Sequence, residues 1–213
     1  MPDDDQTALF DDLPVPADAL PDGLVLAERF LSPDEETALV DLVRTLPLQA
    51  ATYKGYTARR RVVSYGGTFD FDTMRLDAAE PLVAALHPLR DRVAGWAGVA
   101  TAHLVHTLVA EYAPGTPLGW HRDVPDFEDV FGVSLGGSAV MRLCPYPPMT
   151  RPRADVRRVV LAPRSVYALR GAARWAWQHS VAPVDGWRWS VTFRTARLPV
   201  GAGAGSAGAD PAG

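Results

Sequence analysis

Two regimes of apolar spacing divide the chain near residue 100. Before it, "SPDEETALVDLVRTLP" reads as an amphipathic helix with its own punctuation. Ser32 is placed to cap it, Pro33 falls in the first turn, Glu35 completes a capping box and Pro47 ends it. A second helical region, about 80–97, sets Leu82, Leu86, Leu89, Val93 and Trp96 at helical spacing, with Pro88 expected to kink or divide it. After residue 100 the pattern shortens into apolar or alternating runs between turns: 103–112, 119–124, 130–135, 139–143, 156–161, 165–169, 175–182 and 187–195. Many short strands in series predict a β-sandwich or barrel fronted by two helices, a mainly β member of the α+β class.

The last two runs flank Asp185-Gly186, a strong signal for a two-residue hairpin loop. That loop would place residue 179 opposite 192. Alternation along the returning strand puts Arg188, Ser190, Thr192 and Arg194 on one face and Trp187, Trp189, Val191 and Phe193 on the other. The pairing predicts that His179 lies on the face of the two arginines, forming a polar pocket wall.

Composition bounds the rest. The 213 residues suffice for one domain with a substantial core, and 47% hydrophobic with 22% charged residues is ordinary globular usage. No apolar run reaches membrane-spanning length, and the acidic start "MPDDDQTALFDD" does not resemble a signal peptide. One cysteine, Cys144, excludes an internal disulfide and a cysteine-based metal cluster; the expected setting is cytoplasmic. The net charge of −4 is unevenly distributed. Residues 1–22 hold seven Asp and no Lys or Arg, and the Gly/Ala-rich end 198–213 holds only Asp210, so both ends are expected to be mobile. The body, 23–197, carries 21 basic against 17 acidic residues, which permits a polyanionic partner without requiring one.

Candidate chemistry begins at "GWHRDVPDF", residues 119–127. A His-x-Asp pair projects both groups to one side of a strand, although the pair alone arises readily by chance. The order is more telling: His121-x-Asp123 follows a strand, His179 comes later, and an arginine-bearing strand follows at once. Two imidazoles and one carboxylate on one face of an octahedral ion leave three positions open, the arrangement of non-haem Fe(II) oxygenases. A 2-oxo acid can take two of those positions and O2 the third. The far carboxylate of a diacid then requires a buried guanidinium, which Arg188 or Arg194 could supply.

The stretches "EYAPGTPLGWHRD", "VFGVSLGGSAVMRL", "LRGAARWAWQHSV" and "RWSVTFRTAR" resemble the AlkB family of Fe(II)/2-oxoglutarate-dependent dioxygenases, and "LVLAERFLSPDEETALVDLV" and "ARRRVVSYGG" resemble its entry helix and nucleotide-lid region. The likeness covers about residues 23–197. It implies a double-stranded β-helix (jelly-roll) core with helices packed outside. It also implies His121, Asp123 and His179 as iron ligands and Tyr112 and Arg188 as 2-oxoglutarate contacts, with Ser190 and Arg194 supporting the cosubstrate. Arg174 matches a position that reaches the substrate; Arg61, Tyr65 and Asp126 are further candidate substrate contacts. Three departures stand out. Ala110 and Ser190 occupy positions where the family has cosubstrate-binding Asn, and Pro125, beside Asp126, stands where base-demethylating members have an acid.

By that resemblance the cofactor is Fe(II), the cosubstrates are 2-oxoglutarate and O2, and the expected reaction is oxidative dealkylation of a base in DNA or RNA, as in alkylation repair, by an enzyme expected to act as a monomer. The alternatives are the same chemistry on a protein side chain or small metabolite, and a catalytically silent jelly-roll binding module. Arg59, Arg60 and Arg61, with Tyr53, Tyr56 and Tyr65, read equally as a nucleic-acid lid or a charged strand edge. "RPRADVRR" (151–158) invites the same pair of readings. His103, His106, Cys144 and most of the tryptophans read as structural.

Overall fold

The computed structural model describes residues 20–53, 56–70, 75–147 and 156–197. The expected mobile ends fall mostly outside these. Residues 20–22 belong to the body, where the Asp22 carbonyl accepts a hydrogen bond from Ala173 N at 2.8 Å.

The first helix, α1 (Pro33–Thr45), begins as its residues dictate. Ser32 Oγ accepts from Glu35 N at 3.2 Å, while the Glu35 carboxylate accepts from Ser32 N at 2.7 Å. Two backbone donors at the helix start are thereby satisfied reciprocally. Pro88 does not kink the second helix but opens it: α2 runs His87–Ala97 with the proline in its first turn, after a short 3-10 turn at 84–86. A proline lacks only a donor that is unused at a helix start. Gly98, at φ +67°, closes α2 in the left-handed conformation that a side chain would strain. Among the described residues no helix is long and apolar enough to cross a membrane.

Among the described residues there are thirteen strands: β1 (Leu24–Ala27), β2 (Gln49–Tyr53), β3 (Tyr56–Tyr65), β4 (Gly67–Asp70), β5 (Arg75–Ala78), β6 (Leu104–Tyr112), β7 (Leu118–His121), β8 (Phe127–Gly136), β9 (Ala139–Pro145), β10 (Arg157–Leu161), β11 (Val166–Leu169), β12 (Trp177–Val181) and β13 (Arg188–Ala196). A seven-stranded sheet has the order β1-β11-β8-β13-β6-β3-β2, and a four-stranded sheet the order β10-β9-β12-β7. β4 and β5 form a separate hairpin, and a short helix, α3 (Gly171–Trp175), leads into β12. The architecture is the jelly roll with outer helices that the resemblance implied.

Two apolar layers hold it together. Val109, Phe131, Val133, Leu135, Trp189, Val191 and Phe193 form the outer face of the large sheet and are buried against Val43, Leu86, Leu89 and Val93 of the helices. The inner layer joins the two sheets through Ala110, Tyr112, Val130, Met141, Leu143, Leu161, Leu169 and Val181. Strand β13 therefore has both faces covered, and all but its last residue are buried.

The expected hairpin between the last two strands does not form. β12 pairs with β9 and β7 in the small sheet, whereas β13 pairs with β6 and β8 in the large one. The segment between them crosses from sheet to sheet. Pro183 offers no ladder donor there, and Val184 exchanges hydrogen bonds with the turn at Gly115 and Thr116 instead. His179 and Arg194 consequently face each other across the sandwich rather than sharing one wall.

Candidate active site

The small sheet supplies the histidines. His121 ends β7 and is the direct cross-strand partner of His179 on β12, so both side chains leave the sheet on the same face. Their ring centroids are 4.3 Å apart. Asp123, two residues beyond the end of β7, brings its Oδ2 to 3.7 Å from His179 Nε2. One ligand atom from each of the three lies within 4.8 Å of the others, the only such His/Cys/Asp/Glu group found among the described residues. His121 Nδ1 is 2.9 Å from the Gly119 carbonyl, a contact that fixes the ring and leaves Nε2 for a ligand role.

The large sheet supplies the cations. Arg194 donates from Nε and Nη2 to Asp123 Oδ1 at 2.8 and 2.6 Å, leaving Oδ2 turned to the histidines. Its Nη1 lies 3.1 Å from His106 Nδ1. Further along the same face, Arg188 is 2% exposed, donates from Nε to Ser134 Oγ at 3.3 Å and stacks on the Tyr112 ring. Its Nη1 is buried without a partner. Arg60 and Ser190 lie beside the Tyr112 phenol and favour its ionised form. Tyr167 stands over Gly132, where a β-carbon would overlap its ring, and completes this inner surface.

Electrostatics keep the three side chains in the protonation states that a metal ion would require. Burial opposes ionisation of Asp123, but the adjoining Arg194 guanidinium outweighs it and keeps the carboxyl well below the usual carboxylate range. Burial pushes His179 down to about 3, with His121 adding to the effect, and burial lowers His121 as well. A metal ion thus meets two neutral imidazoles and one carboxylate over a wide pH range. Burial would raise the Tyr112 phenol, but the guanidinium groups of Arg60 and Arg188 reverse this and bring it below its ordinary value.

The sequence-predicted residues divide by location. His121, Asp123, His179, Tyr112, Arg188, Ser190 and Arg194 surround one space between the sheets. Arg61 does not: strand alternation turns it to the opposite face from Arg60, where it pairs with Glu111 at 2.9 Å and donates to the Leu48 carbonyl. Tyr65 is 4% exposed within the outer apolar layer. Arg174 is also buried, but its Nη2 is spent on the carbonyls of Asp123, Val124 and Phe127, stapling the loop after the triad. Asp126 is exposed on that loop. The side chains of Tyr53 and Tyr56, and residues 151–155, lie outside the described residues.

Three contributors escaped the sequence reading. His106, taken as structural, orients Arg194 and is pushed down to about 3 by burial and by Arg194. Its position on the Tyr112 side of β6 was the available signal. Ser134 and Tyr167 carry no comparable signal, because only the pairing of β8 with β13 and β11 brings them to the pocket.

Comparison with known proteins agrees with this geometry. Residues 23–199 match the family described as the 2OG-Fe(II) oxygenase superfamily. The chain is 28% identical over 172 residues to the tRNA (carboxymethyluridine(34)-5-O)-methyltransferase alkbh8 of Xenopus tropicalis, covering 78% of this chain and 26% of that protein. It is 28% identical over 188 residues to the Alkylated DNA repair protein ALKBH8 homolog of Arabidopsis thaliana, covering 78% of this chain and 54% of that one. The chain therefore spans between about a quarter and a half of these relatives. Among solved structures, OsALKBH1 aligns with a TM-score of 0.60 at 18% identity over 83% of this chain and 97% of its own. A 2OG-Fe(II) oxygenase-family oxidoreductase from Burkholderia pseudomallei aligns with a TM-score of 0.54 at 19% identity over 83% and 86%. The chain belongs to the 2OG-Fe(II) oxygenase superfamily, as an AlkB-like member whose cofactor is Fe(II) and whose cosubstrates are 2-oxoglutarate and O2.

Proposed function

We propose that this protein is a dioxygenase that hydroxylates an N-alkyl group on a nucleic-acid base. The supporting observation is the convergence of His121, Asp123 and His179 with a buried cationic wall directly opposite. The donor set fits the metal: two neutral nitrogens and a carboxylate oxygen suit Fe(II), and Asp123 Oδ2 is directed at His179 Nε2, 3.7 Å away. The far side fits the cosubstrate, because the partnerless Nη1 of Arg188 and the Tyr112 phenol offer donors to a carboxylate.

His121, Asp123 and His179 would hold the iron. When bound, the ion couples oxidative decarboxylation of 2-oxoglutarate to insertion of one oxygen atom into a C–H bond. The chain's own residues bind and aim. Arg188, Tyr112 and Ser190 fix the diacid, Arg194 keeps Asp123 turned to the histidines, and His106 keeps Arg194 in place. The apolar layer between the sheets excludes water from the reacting groups. For a methylated base, methyl, 2-oxoglutarate and O2 give hydroxymethyl, succinate and CO2; the hydroxymethyl amine then breaks its C–N bond, releasing formaldehyde and returning a proton to nitrogen. A base paired in a duplex would have to leave the stack first.

The preference for a nucleic acid draws on the net basic body and on the relatives named for tRNA modification and DNA repair. The test is formaldehyde and succinate release from N-methylated DNA and RNA oligonucleotides, with N-methylated peptides in parallel. Coupled release from an oligonucleotide supports the reading. Release from peptides alone would move the substrate to protein, and no succinate from any of them would remove the enzyme reading.

A further inference from the structure

Arg60 is the charged group that the pocket leaves unexplained. Its neighbours on β3 belong elsewhere: Arg59 is exposed, and Arg61 is paired with Glu111 on the outer face. Alternation puts Arg60 on the inner face with Val62, whose cross-strand partner is Ala110. From there its side chain reaches the Tyr112 phenol, and its charge is felt at His121. Its Nε is buried without a hydrogen-bond partner, as is Nη1 of Arg188 on the other side of Tyr112. No ion pair among those of the described residues involves Arg60 or Arg188.

Two guanidinium groups flanking one phenol, each with an unused buried donor and no carboxylate, are costly unless an anion joins them. A dicarboxylate supplies the charge and the acceptors. Ala110, the cross-strand partner of Val62, offers no polar group to the cosubstrate on this side of Tyr112.

We propose that Arg60 is a cosubstrate-positioning residue, which with Arg188 and Tyr112 grips 2-oxoglutarate in this pocket. The proposal rests on the reading of the inner space as the cosubstrate site. It extends that site to β3, which lies between β6 and the edge strand β2, and it accounts for a pocket in which residue 110 offers no polar side chain.

The experiment measures binding of 2-oxoglutarate by calorimetry to the full-length Mn(II)-loaded protein, without primary substrate, for wild type, Arg60→Met and Arg60→Lys. Melting temperature and Mn(II) affinity are followed for each. Arg60→Met should weaken 2-oxoglutarate binding by about 10- to 100-fold, the range expected for losing charge-assisted hydrogen bonds. Mn(II) affinity should stay unchanged. Arg60→Lys should fall between, since a point charge replaces the fork. Unchanged 2-oxoglutarate affinity in a folded Arg60→Met protein overturns the proposal, and so does loss confined to oligonucleotide binding. Failure of the wild type to bind 2-oxoglutarate would instead overturn the reading of the site itself.

Discussion

Arg174 shows how one residue's chemistry and its location can part. The family resemblance places Arg174, just ahead of the second histidine, at a position that reaches the substrate. In the fold its guanidinium turns inward and donates to three carbonyls between Asp123 and Phe127. It holds the loop that carries the triad's carboxylate, so its role is support. Arg174→Met should therefore lower stability by about 1–3 kcal/mol, read by denaturant titration, and leave oligonucleotide affinity unchanged in the folded fraction. A stable variant with lost oligonucleotide binding would return Arg174 to the substrate surface. Gly132 is constrained by what stands over it. A β-carbon there would overlap the Tyr167 ring. Gly132→Ala should cost about 1–3 kcal/mol through overpacking, and adding Tyr167→Ala should recover most of that loss. Equal stability of Gly132→Ala and wild type would show that the ring moves freely.

At the level of elements, the sequence was most legible where one face of an element meets a core and the caps are local. The capping box of α1 and the division of β13 into a polar and an apolar face needed only neighbouring residues. The runs before residue 100 were less readable: β3 carries three consecutive arginines, and charge hides the alternation that sends Arg60 inward and Arg61 outward. The Asp185-Gly186 signal marks only a bend in the segment that crosses between the sheets. In a jelly roll, neighbouring strands in sequence often belong to different sheets, and local turn preference cannot register which sheet a strand joins. The polar face of β13 was recognised as a pocket wall, yet the histidine wall opposite it belongs to strands 58 residues apart in sequence at His121 and His179, joined only by the β7–β12 pairing.

Across the whole molecule, buried histidines couple the pocket to stability. His106 and His179 are both pushed down to about 3, chiefly by burial, whereas in the unfolded chain they titrate near 6.5. Below pH 6.5 the unfolded chain binds protons that the folded state refuses. Their contribution is thus complete above about 6.5 and is lost as the pH falls toward 3. Each should steepen the acid-side slope of unfolding free energy by up to about 1.4 kcal/mol per pH unit. Denaturant titrations of metal-free protein between pH 7 and 4 should show a shallower decline for His106→Asn than for wild type. Parallel slopes would mean that His106 is protonated in the folded state.

The central claim is that residues from β7, the loop after it and β12 converge on a single metal ion. Anaerobic Fe(II) titration of wild type and Asp123→Ala, with bound iron counted per folded chain in the presence of 2-oxoglutarate, tests it most directly. The account predicts one iron per wild-type chain and little or none retained by Asp123→Ala after desalting. Full retention by Asp123→Ala, or no stoichiometric iron in the wild type, would contradict it.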